Sequence, residues 1–157
     1  MASPDVQYAP ISTDDAGEVL TLQRAAFVSE AQIYGSVDMP PLTQTLDAVR
    51  AELADCYGWT ARLDGRLVGA LRGRIDGELL LVGRIAIAPD MQGEGIGRGL
   101  LDAAERGSGA SHSELFTGSL SEANIRLYES CGYEISERVP QDGGTEQVFM
   151  RKRLRTG

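Results

Sequence analysis

Near the middle of the chain an aliphatic run, Leu79 to Ala88, stops at Pro89 and gives way to Gln92-Gly93-Glu94-Gly95-Ile96-Gly97-Arg98-Gly99. A helical pattern opens there, with Ile96, Leu100, Leu101 and Ala104 at core spacing and Arg98, Asp102 and Glu105 facing water. A strand, a glycine-rich turn and a helix in that order place free backbone N–H groups at the positive end of a helix, which suits a diphosphate. A Cβ at Gly93, Gly95 or Gly97 would hold such a ligand away or forbid the backbone angles that aim the N–H groups at it.

With 19 glycines in 157 residues, a tight turn without a ligand is the competing reading, and the wider pattern has to decide. A Walker A loop needs a Gly-Lys-Ser/Thr end, which no glycine here supplies. The dinucleotide fingerprint G-x-G-x-x-G fails as well, since its last position falls on Arg98 or Leu100.

The spacing Q/R-x-x-G-x-G/A is met by Gln92, Gly95 and Gly97. With that loop the chain resembles the GCN5-related N-acetyltransferases, and Thr117 to Glu134 resembles their second signature, a helix carrying Asn124-x-x-x-Tyr128-Glu129 and ending at Gly132-Tyr133. The resemblance covers roughly residues 57 to 137. It implies an α/β (α+β) fold, a twisted, mixed but mostly antiparallel sheet of six to seven strands flanked by about four helices. It also implies acetyl-CoA as acyl donor, a primary amine as acceptor and a homodimer.

Site residues follow from the resemblance. The pantetheine arm would pair with the edge of the central strand at Ile85, Ala86 and Ile87, a backbone interaction without side-chain signature. The diphosphate would lie on main-chain N–H groups from Gln92 through Gly93, Glu94, Gly95, Ile96 and Gly97 to Arg98; Glu94 stands where the family often has a basic residue. Tyr128 matches the tyrosine that returns a proton to the departing thiolate, and a phenol titrating near ~10 stays protonated for that task. On position alone Tyr128 reads first as a core aromatic beside Ile125, and the surrounding signature is what turns the reading to the proton donor. Asn124, one turn earlier, is placed to bond the pantetheine or simply to face water, and Ser121 reads as a helix N-cap.

The amine must lose a proton, so a base is needed. The strand before the tyrosine helix, Leu115-Phe116-Thr117-Gly118, offers no acid, and the central strand has Gly83 and Arg84. Glu30, beside Tyr34 near the end of the first helix, is the acidic candidate; a solvated glutamate with a water relay is the alternative. Aminoglycoside, polyamine, peptide and small amines stay open as acceptors. An acyl-CoA sensor without turnover, a longer acyl donor and a hydroxyl acceptor are the rival readings.

Composition sets the outer bounds. The length, with 42% hydrophobic and 24% charged residues, fits one domain over 1–157 with a real core. Met1 to Pro10 has neither a basic start nor an apolar segment, so the expected place is the cytoplasm. Cys56 and Cys131 lack metal-ligand spacing, no metal is expected, and His112 reads as a loop residue. A net charge of −8 argues against nucleic acid and suits a cationic substrate.

The coarse map places a strand at Val6 to Ala9 and a capped helix from Ser12-Thr13-Asp14-Asp15. A chain break at Pro40-Pro41 and a helix from Thr43 to Ala54 follow. Asp64-Gly65 and Asp76-Gly77 join three antiparallel strands, Tyr57 to Leu63, Arg66 to Ile75 and Glu78 to Ala88. Beyond the loop helix come a strand at Glu114 to Gly118, a helix at Ser121 to Cys131, and strands Tyr133 to Val139 and Thr145 to Leu154 joined by Asp142-Gly143-Gly144. Arg151 to Arg155 reads as a solvated strand edge.

Overall fold

The computed structural model describes residues 5–154. Its seven strands form one sheet in the order β1-β2-β3-β4-β5-β7-β6. β1 (Gln7–Pro10), β2 (Tyr57–Leu63), β3 (Arg66–Asp76) and β4 (Leu79–Ile87) are successively antiparallel. The β2–β3 turn is tight because Asp64 and Gly65 both take positive φ (52° and 81°), the twist that a two-residue hairpin needs. β5 (His112–Gly118) then runs parallel to β4, and β7 (Glu146–Arg153) lies between β5 and β6 (Glu134–Pro140), antiparallel to both. The sheet is therefore mixed with a single parallel pair.

Helices cover both faces of the first half of the sheet. α5 (Ile96–Ser108) packs on β1 to β4 from one side, while α1 (Ala16–Ala26) packs on β3 and β4 from the other and is braced by α4 (Leu46–Asp55). β3 is consequently buried without interruption from Leu67 to Arg72, as a strand covered on both faces must be. The buried stripe of α5 is Ile96, Leu100, Leu101 and Ala104, and each large member contributes about 1.5–3 kcal/mol by leaving water. A Cβ on Gly69 would stand 2.8 Å from Ile96 Cγ2, so the bare backbone there lets α5 sit close to β3.

Several local expectations change. The Ser12 capping box with Asp15 forms, but on a 3-10 turn that leads into α1. The first helix breaks at Phe27 (φ −91°, ψ 3°), and α2 (Val28–Tyr34) continues in a new direction, which puts Glu30 on a separate helix. Pro40-Pro41 does not break the chain: both occupy the first turn of α3 (Pro40–Thr43), where a missing N–H costs nothing. The next helix starts at Leu46 because the Thr45 hydroxyl caps Ala48 N. Among the described residues six α-helical segments, one of them the four-residue α3, stand where about four helices are expected, in keeping with the expected fold. His112 opens β5, where its ring contacts the Ser111 hydroxyl, so it is a strand residue and not a loop one. Arg151 to Arg153 lie on interior strand β7, with Arg151 paired to Glu114, and not on an edge; Arg155 is outside the described residues. Among the described residues no helix is long and apolar enough to cross a membrane.

Candidate active site

The decisive irregularity is the β4–β5 seam. The two strands pair only at Leu79–His112, Leu80–Ser113 and Leu81–Glu114 and then diverge. The divergence begins at a bulge: Arg72 faces Arg84 and Gly73 faces Val82, which leaves Gly83 as an extra residue that bends β4. Beyond it Ile85, Ala86 and Ile87 keep β3 as a partner on one side and, among the described residues, have no strand on the other.

A cleft of about 770 Å³ occupies this opening. It brings together Glu30, Ile85, Ile87, Gln92, Gly93, Gly95, Ile96, Gly97, Arg98, Asn124 and Tyr128, residues that the sequence draws from four separate segments. Ala86 turns its side chain into the core, which leaves only its backbone toward the gap. Glu94 is exposed and does not line the cleft.

At the phosphate-loop end, Gly93 and Gly95 both sit at φ +81°, and Gly95 caps α5 in the left-handed region. Among the described residues no main-chain N–H from Gly93 to Arg98 reaches a backbone acceptor outside the helix. The first turn of α5 adds its own unbonded donors, so the loop presents a concave row of N–H groups. Gly97 differs from the expectation. Its backbone is helical, and a Cβ there would stand 3.1 Å from Leu127 Cδ2, so it is small in order to admit α6 (Glu122–Ser130). Arg98 ties the two helices from outside, through Ser130 Oγ at 2.8 Å and the Ser130 carbonyl at 3.2 Å. Arg66 and Asp90 form a bidentate pair (2.8 and 2.7 Å) that links β3 to the turn before the loop.

At the other end stand two tyrosines with different fates. Tyr133 is 2% exposed; it donates to Glu105 Oε2 (2.9 Å) and accepts from Ser113 Oγ (2.7 Å), so its hydroxyl is spent on the core. Tyr128 packs edge-on against it at 6.2 Å, lines the cleft, and among the described residues has no hydrogen bond acting on its hydroxyl. Burial, then the Glu30 charge and Cys131, push the Tyr128 phenol well above its ordinary range.

Glu30 reaches the same cleft from α2. Its Oε2 accepts from Ser121 Oγ at 2.8 Å, and Oε1 lies 3.4 Å from Asn124 Nδ2. With its one proton given to Glu30, the Ser121 hydroxyl accepts from Tyr34 OH at 2.7 Å. Ser121 therefore makes no side-chain cap, against expectation, and instead holds α2 across the mouth of the cleft to α6. Only a serine followed by a helix is visible in the sequence, and that pattern reads as a cap; its partners lie 87 and 91 residues away. A further set went unread. Buried Gln23 on α1 bonds Arg72 (2.7 Å), the Pro41 carbonyl and Gln44, under the opposite face of β4.

The fold and its cleft combine a mixed seven-stranded sheet with a splayed central seam, a glycine loop at a helix start and a tyrosine helix. The family model for the acetyltransferase (GNAT) domain matches residues 54–135, and the chain belongs to that family. Among curated proteins it is similar to UPF0157 protein YqkA of Bacillus subtilis (strain 168), 27% identical over 125 residues, covering 79% of this chain. The chain spans only 36% of that relative's length.

Solved structures share the fold at low identity. The PaiA N-acetyltransferase of Thermoplasma acidophilum, in complex with coenzyme A, superposes with a TM-score of 0.79 at 16% identity over 95% of this chain and 99% of that one. The ribosomal-protein-S18-alanine N-acetyltransferase of Escherichia coli gives 0.76 at 18% over 97% and 96%. YncA of Salmonella typhimurium, with its cofactor acetyl-CoA, gives 0.72 at 18% over 97% and 95%.

Proposed function

We propose that this chain is an acetyl-CoA-dependent N-acetyltransferase that transfers the acetyl group to a primary amine by direct attack on the thioester. The observation that carries the reading is the Tyr128 hydroxyl, kept protonated and without a hydrogen bond, in the same cleft as the unbonded N–H groups of Gly93 to Arg98.

The residues present fit the donor. Main-chain groups of Gln92 to Arg98 would hold the diphosphate, the open edge at Ile85 to Ile87 would offer its backbone to the pantetheine, and Asn124 would supply an amide to it. When bound, acetyl-CoA supplies the activated acyl group. Glu30 would accept one proton of the incoming ammonium, directly or through water; as the nitrogen bonds the acetyl carbon and the carbon–sulfur bond breaks, Tyr128 would give its proton to the leaving sulfur and regain one from the nitrogen, directly or through water. Ser121, Tyr34 and Asn124 fix the Glu30 carboxylate for that transfer.

A single domain over 1–157 belongs to the same proposal, supported by one continuous sheet and one core cluster. So do a homodimer, carried by the family resemblance, and a cytoplasmic location, carried by the sequence. Calorimetric titration with acetyl-CoA, with ATP as comparison, followed by a thiol-release assay on an amine panel, tests the reading. Stoichiometric binding of acetyl-CoA alone, with turnover, is expected. Absence of binding in folded protein would overturn it, and binding without turnover would leave a sensor.

A further inference from the structure

A second concavity, of about 450 Å³, lies against the part of β4 that precedes the open edge. α4 contributes Glu52 and Asp55 to its wall, β3 contributes Arg72, and β4 contributes Gly83 and Arg84. Arg72 and Arg84 are cross-strand partners, so two guanidinium groups share one face and repel.

Arg72, 5% exposed, is fully answered: it pairs with the Glu52 carboxylate and donates to Gln23 Oε1 at 2.7 Å. Arg84 is not. Its Nη1 donates to Gln44 Oε1 at 3.1 Å, a neutral oxygen already shared with Gln23 Nε2, and among the described residues it forms no ion pair. Arg84 lines the cavity, and among the described residues its guanidinium makes no side-chain hydrogen bond besides the one to Gln44. Burial and the neighbouring Arg72 charge both lower the Arg84 pKa, which marks a cation kept where the protein itself disfavours charge.

We propose that this pocket binds the carboxylate of the acyl acceptor through the Arg84 guanidinium, so that the acceptor is an amino carboxylate. The inference rests on the acetyltransferase reading and narrows its acceptor. A guanidinium presents a planar fork that fits a carboxylate with two parallel hydrogen bonds. Glu52 and Asp55 on the same wall disfavour a dianion, which selects carboxylate over phosphate. β4 is the common wall of both cavities: Arg84 faces this one, and Ile85, the next residue, faces the cofactor cleft. At Gly83, where the strand bulges, that wall carries no side chain. An acceptor anchored at Arg84 is thus held beside the strand residue that precedes the open edge. The overall charge of −8 points to cationic substrates, but in this cavity's lining Arg72, Arg74 and Arg84 outnumber Glu52 and Asp55.

The test pairs each amino carboxylate with its neutral counterpart: glycine with glycinamide, β-alanine with its amide, γ-aminobutyrate with butylamine, and aminomethylphosphonate as the dianion arm. Wild type, Arg84→Met and Arg84→Lys are compared by thiol release, with acetyl-CoA affinity measured separately. Wild type is expected to favour carboxylates by about 10- to 100-fold in kcat/KM. Arg84→Met abolishes that preference by raising KM, and Arg84→Lys keeps part of it, with acetyl-CoA affinity unchanged in both. Equal rates on acids and amides, a preference that survives Arg84→Met, or a preference for the phosphonate would overturn the proposal. Calorimetry with γ-aminobutyrate and β-alanine in the presence of CoA reads the pocket without turnover. Binding to wild type and not to Arg84→Met supports the pocket even if no transfer occurs, and no binding of either acid sinks it.

Discussion

Two tyrosines five residues apart on one helix and its exit show how little a residue type says by itself. Tyr133 is locked by Ser113 and Glu105, with Lys152 completing the cluster at 2.7 Å from Glu105, and no proton is free to leave. Tyr128 keeps its proton because burial and the Glu30 charge disfavour the phenolate. Replacing Tyr128 with Phe is expected to lower kcat by about 10²-fold or more and to leave acetyl-CoA affinity intact. The sign for pH follows: a raised phenol pKa keeps the donor competent, so the wild-type rate does not fall through this group as pH rises to about 10. A pH-rate profile with an alkaline limb near 8 that disappears in Tyr128→Phe would contradict the assignment. The placement of Tyr128, Asn124, Gly93 and Gly95 around one cleft was legible because their spacing forms a local signature. Ser121 and Gln23 were not, because their partners come from distant segments and a lone polar residue carries no periodicity.

Among elements, the legible ones were those whose ends are written in backbone chemistry. Asp64-Gly65 and Asp76-Gly77 mark both hairpins, and the Ser12 box marks a helical start. The break at Phe27 has no proline or glycine behind it, and it arises where α2 turns to bring Glu30 and Tyr34 to Ser121. The interior position of β7 was equally hidden, since strand order is decided by pairing and not by composition. The glycine loop shows the element acting as a unit. Gly95→Val places a β-branched residue at φ +81°, which costs about 1–3 kcal/mol locally. The turn would re-form with its N–H groups redirected, so the expected result is loss of acetyl-CoA binding in a protein that keeps its far-ultraviolet spectrum. Retained affinity in calorimetry would reduce the turn to a structural connection.

At the scale of the whole molecule, the sheet is two smaller sheets, β1 to β4 and β5-β7-β6, joined by three paired positions. A donor lying in the seam adds hydrogen bonds where none exist, and a ligand that binds only the folded state stabilises it by mass action. Hydrogen exchange with saturating acetyl-CoA is therefore expected to slow amides at Ile85 to Ile87 and Gly93 to Arg98, and to leave β2 and the distal part of β3 little changed. Uniform slowing across the sheet, or none at the seam, would argue against binding there.

A rim made of main-chain groups also has a consequence for descent. Side chains along Gln92 to Arg98 and the open edge of β4 can drift without erasing the donors and acceptors that line it, whereas the Arg84 pocket depends on one guanidinium. Sequence drift along such a rim is therefore expected to spare donor binding, whereas on the Arg84 proposal a single codon change at the pocket would redirect which acceptors are taken.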